Sequence, residues 1–160
     1  MEFPAPSGPH WHAGSTVSGI MSKVMIGLTP IGVLSFWFFG PGVLINFSFA
    51  VLICLLLEFI ALRMRDRPTM VFLSDGSAVV TAALLSLALP PLIPWWVIAT
   101  ACIFAIVIAK HFYGGLGFNL FNPAMVGYVA VLIAFPQHMA VWPDISKNLG
   151  SPGLHAALNC

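Results

Sequence analysis

The sequence predicts an all-α integral membrane protein with five apolar helical segments. Of its 160 residues, 59% are hydrophobic and only 7% are charged, whereas soluble domains carry about 25% charged residues. The mean hydropathy is +0.98. Two runs, residues 20–39 and 43–62, are apolar over the length of about 20 residues that a helix needs to cross a bilayer. The net charge is +1 and no basic tract is present, so nucleic acid is not an expected partner.

The first segment, residues 20–39, contains Pro30 and Gly32, which we expect to bend it. Such bends are tolerated in lipid where neighbouring groups satisfy the freed carbonyl. A Gly-Pro-Gly turn at residues 40–42 leads into the second segment, residues 43–62, which is almost wholly apolar.

The distribution of basic residues predicts how the chain is oriented in the membrane. The second segment ends at the densest positive cluster of the sequence, Arg63, Arg65 and Arg67. Short cytoplasmic loops collect Lys and Arg, so this loop and the N-terminus are predicted to be cytoplasmic. Residues 1–18 are polar and lack the basic flank and apolar core of a signal peptide, which favours a cytoplasmic arm.

The third segment, residues 78–89, is short and rich in small residues that allow close helix contacts. We expect Asp75 to act as its N-cap and Thr81 to hydrogen-bond back to a carbonyl. The segment stops at Pro90 and Pro91.

The fourth and fifth segments are residues 97–109 and 125–135. Trp95 and Trp96 precede the fourth as an interfacial anchor would. Lys110 and His111 follow it and are expected to mark the end of this segment on the cytoplasmic side of the membrane. The membrane domain is thus predicted to cover residues 19–143, and residues 144–160 to begin an extracytoplasmic loop of an incomplete chain. An odd number of spans is typical of half of an inverted-repeat protein.

The most informative stretch lies between the fourth and fifth segments. Residues 114–124 read Gly-Gly-Leu-Gly-Phe-Asn-Leu-Phe-Asn-Pro-Ala and are called the glycine–asparagine loop below. Irregular backbone at membrane depth is tolerated only where it is buried in protein or lines a cavity. Gly115 and Gly117 do not belong to a dinucleotide fingerprint, because the third glycine and the preceding strand are missing.

Two interpretations of the loop amides stay open. Asn119 and Asn122 each offer one acceptor and two donors, which match the imide and carbonyl edge of an isoalloxazine or quinone ring. Alternatively they cap the helix that begins near Pro123, since Asn favours the N-cap and Pro the first helical turn. Both roles can coexist.

The charged residues near the membrane also leave alternatives. Glu58 either has a structural role, by reaching the interface or pairing with Arg63, or belongs to an ion pathway. Lys110 is either a boundary lysine or lies near an anionic or carbonyl group of a ligand. Cys54 and Cys102 lie inside apolar runs and are expected as small buried hydrophobes. No cysteine spacing indicates a metal site, and no catalytic triad or phosphate-binding loop is present.

Over residues 19–142 the chain resembles the D subunit of the Rnf electron-transport complex, a family that includes the B subunit of the sodium-translocating NADH:quinone oxidoreductase. The resemblance is carried, in order, by these motifs: Ser74-Asp75-Gly76-Ser77, Thr81-Ala82-Ala83-Leu84-Leu85, Pro90-Pro91, Pro94-Trp95-Trp96, Ala109-Lys110, Tyr113-Gly114-Gly115-Leu116-Gly117, Asn119, Phe121-Asn122-Pro123-Ala124-Met125 and Gly127-Tyr128.

The resemblance implies the first half of a urea-transporter-like inverted repeat in the bacterial inner membrane. It also implies a subunit of a multisubunit, ion-translocating ferredoxin:NAD oxidoreductase, with other membrane and peripheral subunits as partners. Riboflavin or FMN would be held noncovalently near the glycine–asparagine loop. Its contacts would be Asn119, Asn122, Pro123, Gly115 and Gly117, with Lys110 a weaker candidate.

The chain departs from the family pattern in one respect. The family attaches FMN covalently to a threonine in a Ser-Gly-Ala-Thr-like motif, which is expected beyond residue 160 and is not in this sequence. The chain therefore holds no complete active site of its own. The alternative function is a solute channel or transporter, because the inverted-repeat architecture alone would also support transport. Both Na⁺ and H⁺ are compatible with the sequence as the transported ion.

Overall fold

The computed structural model describes residues 16–113, 115 and 119–143, and this part of the chain contains helices and no strands. Three helical stretches within it are long and apolar enough to cross a membrane: Val17–Phe39, Gly42–Met64 and Thr69–Ala88. Two shorter apolar helices, Trp95–His111 and Pro123–Ala134, follow. The predicted all-α class and its apolar segments are confirmed, whereas the urea-transporter-like repeat stays a prediction.

The helices follow one another with short connections. In chain order they are α1 (Val17–Phe39), α2 (Gly42–Met64), α3 (Thr69–Leu73), α4 (Ser77–Ala88), α5 (Trp95–Ile103), a π-helix (Phe104–His111), α6 (Pro123–Ala134) and α7 (Pro136–Met139).

Helix α1 lies at the periphery. It begins where the Thr16 hydroxyl accepts a hydrogen bond from the Gly19 amide at 3.2 Å, and Pro30 lies inside it. None of its residues is buried, and Trp37 near its end is 74% exposed. Exposed aromatic residues of this kind are typical of the membrane interface.

The core is formed by α2, α4, α5 and α6, which approach one another closely because small side chains line their contacts. Ala50 and Cys54 of α2 are fully buried, as are Ala82 of α4 and Ala101 of α5. Gly127 of α6 packs against the Ala101 carbonyl, and a Cβ at this position would also lie 3.1 Å from the Ala105 side chain. Small residues at helix contacts are the usual means of association in membranes.

The predicted end of the third segment at Pro90 and Pro91 is confirmed, because α4 ends at Ala88. The irregular backbone that follows is buried, and Asn46 of α2 donates a hydrogen bond to the Pro90 carbonyl at 3.0 Å. A buried carbonyl without such a partner would be costly in an apolar environment. Asn46 therefore stabilises the break in the chain between α4 and α5.

The C-terminal half of the fourth segment is π-helical, which the sequence did not predict. Wide turns continue past it: the Phe112 amide donates to the Val107 carbonyl at 3.0 Å, and the Gly115 amide donates to the Lys110 carbonyl at 2.9 Å. Extended π-helical stretches are rare, and single turns occur frequently at functional sites. This one leads directly into the glycine–asparagine loop.

The close contact of α6 with α5 can be tested by adding one methyl group. Gly127→Ala should lower the stability of the protein by about 1–3 kcal/mol, the usual range for overpacking, because the new Cβ meets backbone that cannot easily move. Gly27→Ala is the matched control, since a Cβ there has no neighbour within 4 Å. Thermal unfolding of the purified protein in detergent measures both, and equal melting temperatures would contradict the packing described here.

Candidate functional site

Four polar side chains meet in the interior of the helical core. Glu58 of α2 and Lys110 of the π-helix are each 2% exposed, and the Lys110 Nζ lies 2.8 Å from Glu58 Oε1. The same ammonium donates a hydrogen bond to the Ser77 hydroxyl at 2.7 Å. His111 completes the group, which is called the charge cluster below, and is also buried.

The backbone at the N-terminus of α4 places Ser77 next to Lys110. Gly76 takes a left-handed conformation with φ of 79°, which glycine adopts without steric cost. The Asp75 carboxylate then accepts a hydrogen bond from the Ser77 amide at 2.7 Å. One turn later the Thr81 hydroxyl donates to the Ser77 carbonyl at 2.9 Å. The prediction of Asp75 as the N-cap is wrong by one position, because Gly76 is the N-cap residue, although the Asp75 carboxylate still accepts from the first helical amide. The expected back-bond of Thr81 is confirmed.

His111 approaches the second oxygen of the same carboxylate. Its Nε2 lies 3.2 Å from Glu58 Oε2, a distance that would suit a hydrogen bond. The angles at these two atoms do not suit a hydrogen bond, and neither atom has another hydrogen-bond partner in the described part of the chain. The distance therefore describes a close contact rather than a formed bond.

The structure corrects two expectations about these charges. Of the alternatives for Glu58, pairing with Arg63 is wrong, because Arg63 is exposed at the end of α2 and Glu58 points into the core towards Lys110. Lys110 and His111 were expected as a charged landing at the membrane surface, but both are buried. Lys110 lies in the π-helix and is directed to Glu58 of α2, with which it pairs.

Burial makes the ion pair of the charge cluster energetically sensitive. Each ion loses its hydration in an apolar interior, and the mutual attraction offsets that loss only while both partners are present. Removing one partner leaves a buried charge without compensation. The pair thus constrains α2 and the π-helix to stay in contact, whatever its net contribution to stability.

The two cysteines of the core are small apolar packing residues. Cys54 and Cys102 are free and fully buried, as expected of small hydrophobes, and the Cys102 thiol lies 3.9 Å from the Ala50 carbonyl. In residues 16–113, 115 and 119–143 no three His, Cys, Asp or Glu side chains come together as metal ligands would.

The described part of the glycine–asparagine loop shows its amides in local roles. The Asn122 side chain accepts a hydrogen bond from the Ala124 amide at 3.0 Å and caps α6, with Pro123 in the first turn. The Asn119 side chain donates to the Phe121 carbonyl at 3.0 Å. The capping interpretation is confirmed for Asn122, and ligand binding stays a prediction.

Gly115 and Lys110 meet at the start of the loop. Gly115 has φ of 102°, which few other residues adopt without strain, and its amide bonds to the Lys110 carbonyl. Gly117 lies outside the described residues. The Lys110 backbone thus borders the loop while its side chain belongs to the charge cluster, and its contact with a cofactor stays a prediction. Sequence reasoning missed Ser77 as a partner of Lys110 and His111 as a close neighbour of Glu58, although Ser77 lies near Asp75 and His111 adjoins Lys110.

The chain is similar to proteins of known family. A model of the NQR2, RnfD, RnfE family matches residues 5–155. A Pseudomonas aeruginosa protein, named as the D subunit of an ion-translocating oxidoreductase complex, is 48% identical over 153 residues, which are 95% of this chain and 44% of the relative. Proteins of the same name from Actinobacillus succinogenes and Tolumonas auensis are 46% and 43% identical, covering 90% and 99% of this chain and 41% and 46% of those relatives. The chain therefore spans less than half the length of these relatives.

The ion pair of the charge cluster can be tested by removing one partner and then both. Glu58→Gln should destabilise the protein by about 3–5 kcal/mol, because Lys110 then carries an uncompensated buried charge. Glu58→Gln combined with Lys110→Gln removes both charges and should be less destabilised than the single variant. Thermal unfolding in detergent measures the series.

Arg63→Gln is the matched control, because Arg63 is exposed in the last turn of the same helix as Glu58. Substitutions of this kind change stability by less than about 0.5 kcal/mol. A double variant that is as unstable as Glu58→Gln, or more so, would contradict the coupling of the pair.

Proposed function

The chain belongs to the NQR2, RnfD, RnfE family, and from this premise we propose that it is a membrane subunit of an ion-translocating oxidoreductase complex that passes electrons through bound flavin. The observation that carries the proposal is the identity of 48% over 95% of this chain with a relative whose name includes that complex. The family match over residues 5–155 includes both the charge cluster and the glycine–asparagine loop. The finer assignment is to a ferredoxin:NAD oxidoreductase.

Further subunits are the partners that this proposal requires. The relatives are named as one subunit of a complex, and α1 offers a wide apolar surface without a single buried residue. Such a surface suits contact with lipid or with neighbouring membrane helices. We place the protein in the bacterial inner membrane, with the N-terminus and the arginine-rich loop on the cytoplasmic side.

The glycine–asparagine loop is the proposed flavin site. Asn119 and Asn122 carry amides, which can both donate to and accept from the imide edge of an isoalloxazine ring. Capping α6 uses one lone pair of the Asn122 oxygen, so the amide nitrogen of the same side chain can still donate to a ligand. Gly115 and Gly117 would allow the ring to approach the backbone, and Pro123 would fix the far side of the site.

When bound, riboflavin or FMN supplies one- and two-electron transfer, and this chain's residues hold and orient it. Lys110 would act on the flavin only indirectly in this arrangement, because its ammonium is already hydrogen-bonded to Glu58 and Ser77. The covalent FMN of the family is proposed on a threonine beyond residue 160. Ion transport is assigned to the same complex, with Glu58 as a candidate for its pathway. Glu58 is the buried carboxylate among the described residues, since Asp66 is exposed and Asp75 half-exposed.

Substitutions of Asn122 can separate capping from flavin binding. Asn122→Ser keeps an N-cap, because serine caps helices about as well as asparagine, but it lacks the amide. We expect this variant to assemble with unchanged stability and to lose noncovalent flavin, as should Asn119→Leu. Flavin released on denaturation of the purified complex and measured by fluorescence gives the result.

Asn122→Ala is the comparison variant, because it removes both the cap and the amide and should lose about 1 kcal/mol of stability as well. Full flavin content in Asn122→Ser together with Asn119→Leu would contradict the proposed site. A colourless wild-type complex would instead favour the alternative, a solute channel or transporter.

A further inference from the structure

Two buried atoms of the charge cluster lack hydrogen-bond partners. They are Glu58 Oε2 and His111 Nε2, which lie 3.2 Å apart on side chains that are only 2% and 7% exposed. More than nine-tenths of buried polar groups in native proteins are hydrogen-bonded, and an exception calls for an explanation. Here the two exceptions face each other, so a single bound species could satisfy both.

The surrounding charges decide what that species can be. The Lys110 ammonium lies 2.8 Å from the other oxygen of the Glu58 carboxylate, so a metal cation at Oε2 would place two positive charges on one carboxylate. Hard cations also prefer several oxygen ligands, whereas the neighbour at Oε2 is an imidazole nitrogen. A proton needs one basic atom only, and histidine binds one near neutral pH.

We infer that Glu58 and His111 form a buried proton-binding pair. With the hydrogen of the neutral ring on Nδ1, one proton from solvent forms a second N–H bond at His111 Nε2, no bond within the protein breaks, and no electron is exchanged. A small rotation of the ring then aligns the new donor with Glu58 Oε2 and makes a charge-assisted hydrogen bond. Neither partner atom is left without a hydrogen bond in the protonated form.

The groups around the pair are compatible with this charge change. From α2 the groups are Glu58 itself and Cys54 one turn earlier, and from the π-helix Lys110. Helix α4 contributes the Ser77 hydroxyl, with Asp75 bonded to its amide. The cluster is neutral before the proton binds and carries one positive charge afterwards. His111 is the last residue of the π-helix, where the helix dipole favours a cation.

The backbone of Lys110 connects the proton-binding pair to the glycine–asparagine loop. Its carbonyl accepts the Gly115 amide at 2.9 Å, while its ammonium holds Glu58. If the proposed function holds and a flavin is bound at the loop, an added electron there favours proton binding at the pair, and by linkage the bound proton favours reduction. Proton binding itself does not rest on the proposed function.

The test uses the complete complex in its oxidised state, with isotope-labelled histidine rings. Infrared difference spectra measure the protonation of histidine between about pH 5 and pH 8, where histidine titrates. We expect one histidine protonation signal of the wild type to be lost in His111→Gln. His138→Gln is the matched control, because His138 lies against Trp96, with a ring distance of 5.1 Å, and outside the charge cluster. That variant should keep the signal lost in His111→Gln.

A second variant keeps the inference testable if His111→Gln does not assemble. Glu58→Gln with Lys110→Gln is balanced in charge. It should move the midpoint of the His111 signal to lower pH, because the lost carboxylate contacts the ring directly at 3.2 Å, whereas the lost ammonium contacts the other carboxylate oxygen. Identical histidine signals in the wild type and His111→Gln, or an unchanged midpoint in the balanced variant, would overturn the inference. A complex without flavin absorption would contradict the proposed function but not the proton-binding pair, because the pH titration needs no electron transfer.

Discussion

The buried contact between the Lys110 ammonium and the Glu58 carboxylate, at 2.8 Å, is the constraint on which the rest of the structure depends. Neither charge could remain in this apolar interior alone. The pair therefore fixes the π-helix against α2, and the Ser77 hydroxyl ties the N-terminus of α4 to the same point. This arrangement positions the π-helix, the element that precedes the glycine–asparagine loop.

Much of the fold could be predicted from the sequence, because hydropathy and the residues that start and end helices are local properties. Apolar runs predicted the five helical segments, Pro90 and Pro91 predicted the end of α4, and Asn122 followed by Pro123 predicted the start of α6. Each of these signals acts within a few residues of its effect. The local hydrogen bond of Thr81 was predictable for the same reason.

The charge cluster could not be predicted, because it depends on contacts between distant parts of the chain. Glu58 and Lys110 are 52 residues apart, and the π-helical turns that bring Lys110 inward leave no clear mark in the hydropathy. Arg63, five positions from Glu58 on the same helix, was the obvious partner by sequence, yet its side chain is exposed. A buried polar network of this kind becomes visible only when the helices are packed.

In the complete complex, we expect the Lys110 side chain to hold Glu58 and the proposed flavin to lie in the glycine–asparagine loop. A cryo-electron microscopy map of the complete complex tests it most directly, by the position of the isoalloxazine ring and of the Lys110 Nζ. The account predicts ring density against the Asn119 and Asn122 amides, with Lys110 within hydrogen-bond distance of Glu58. Ring density elsewhere, or a Lys110 ammonium turned into the loop and away from Glu58, would contradict it.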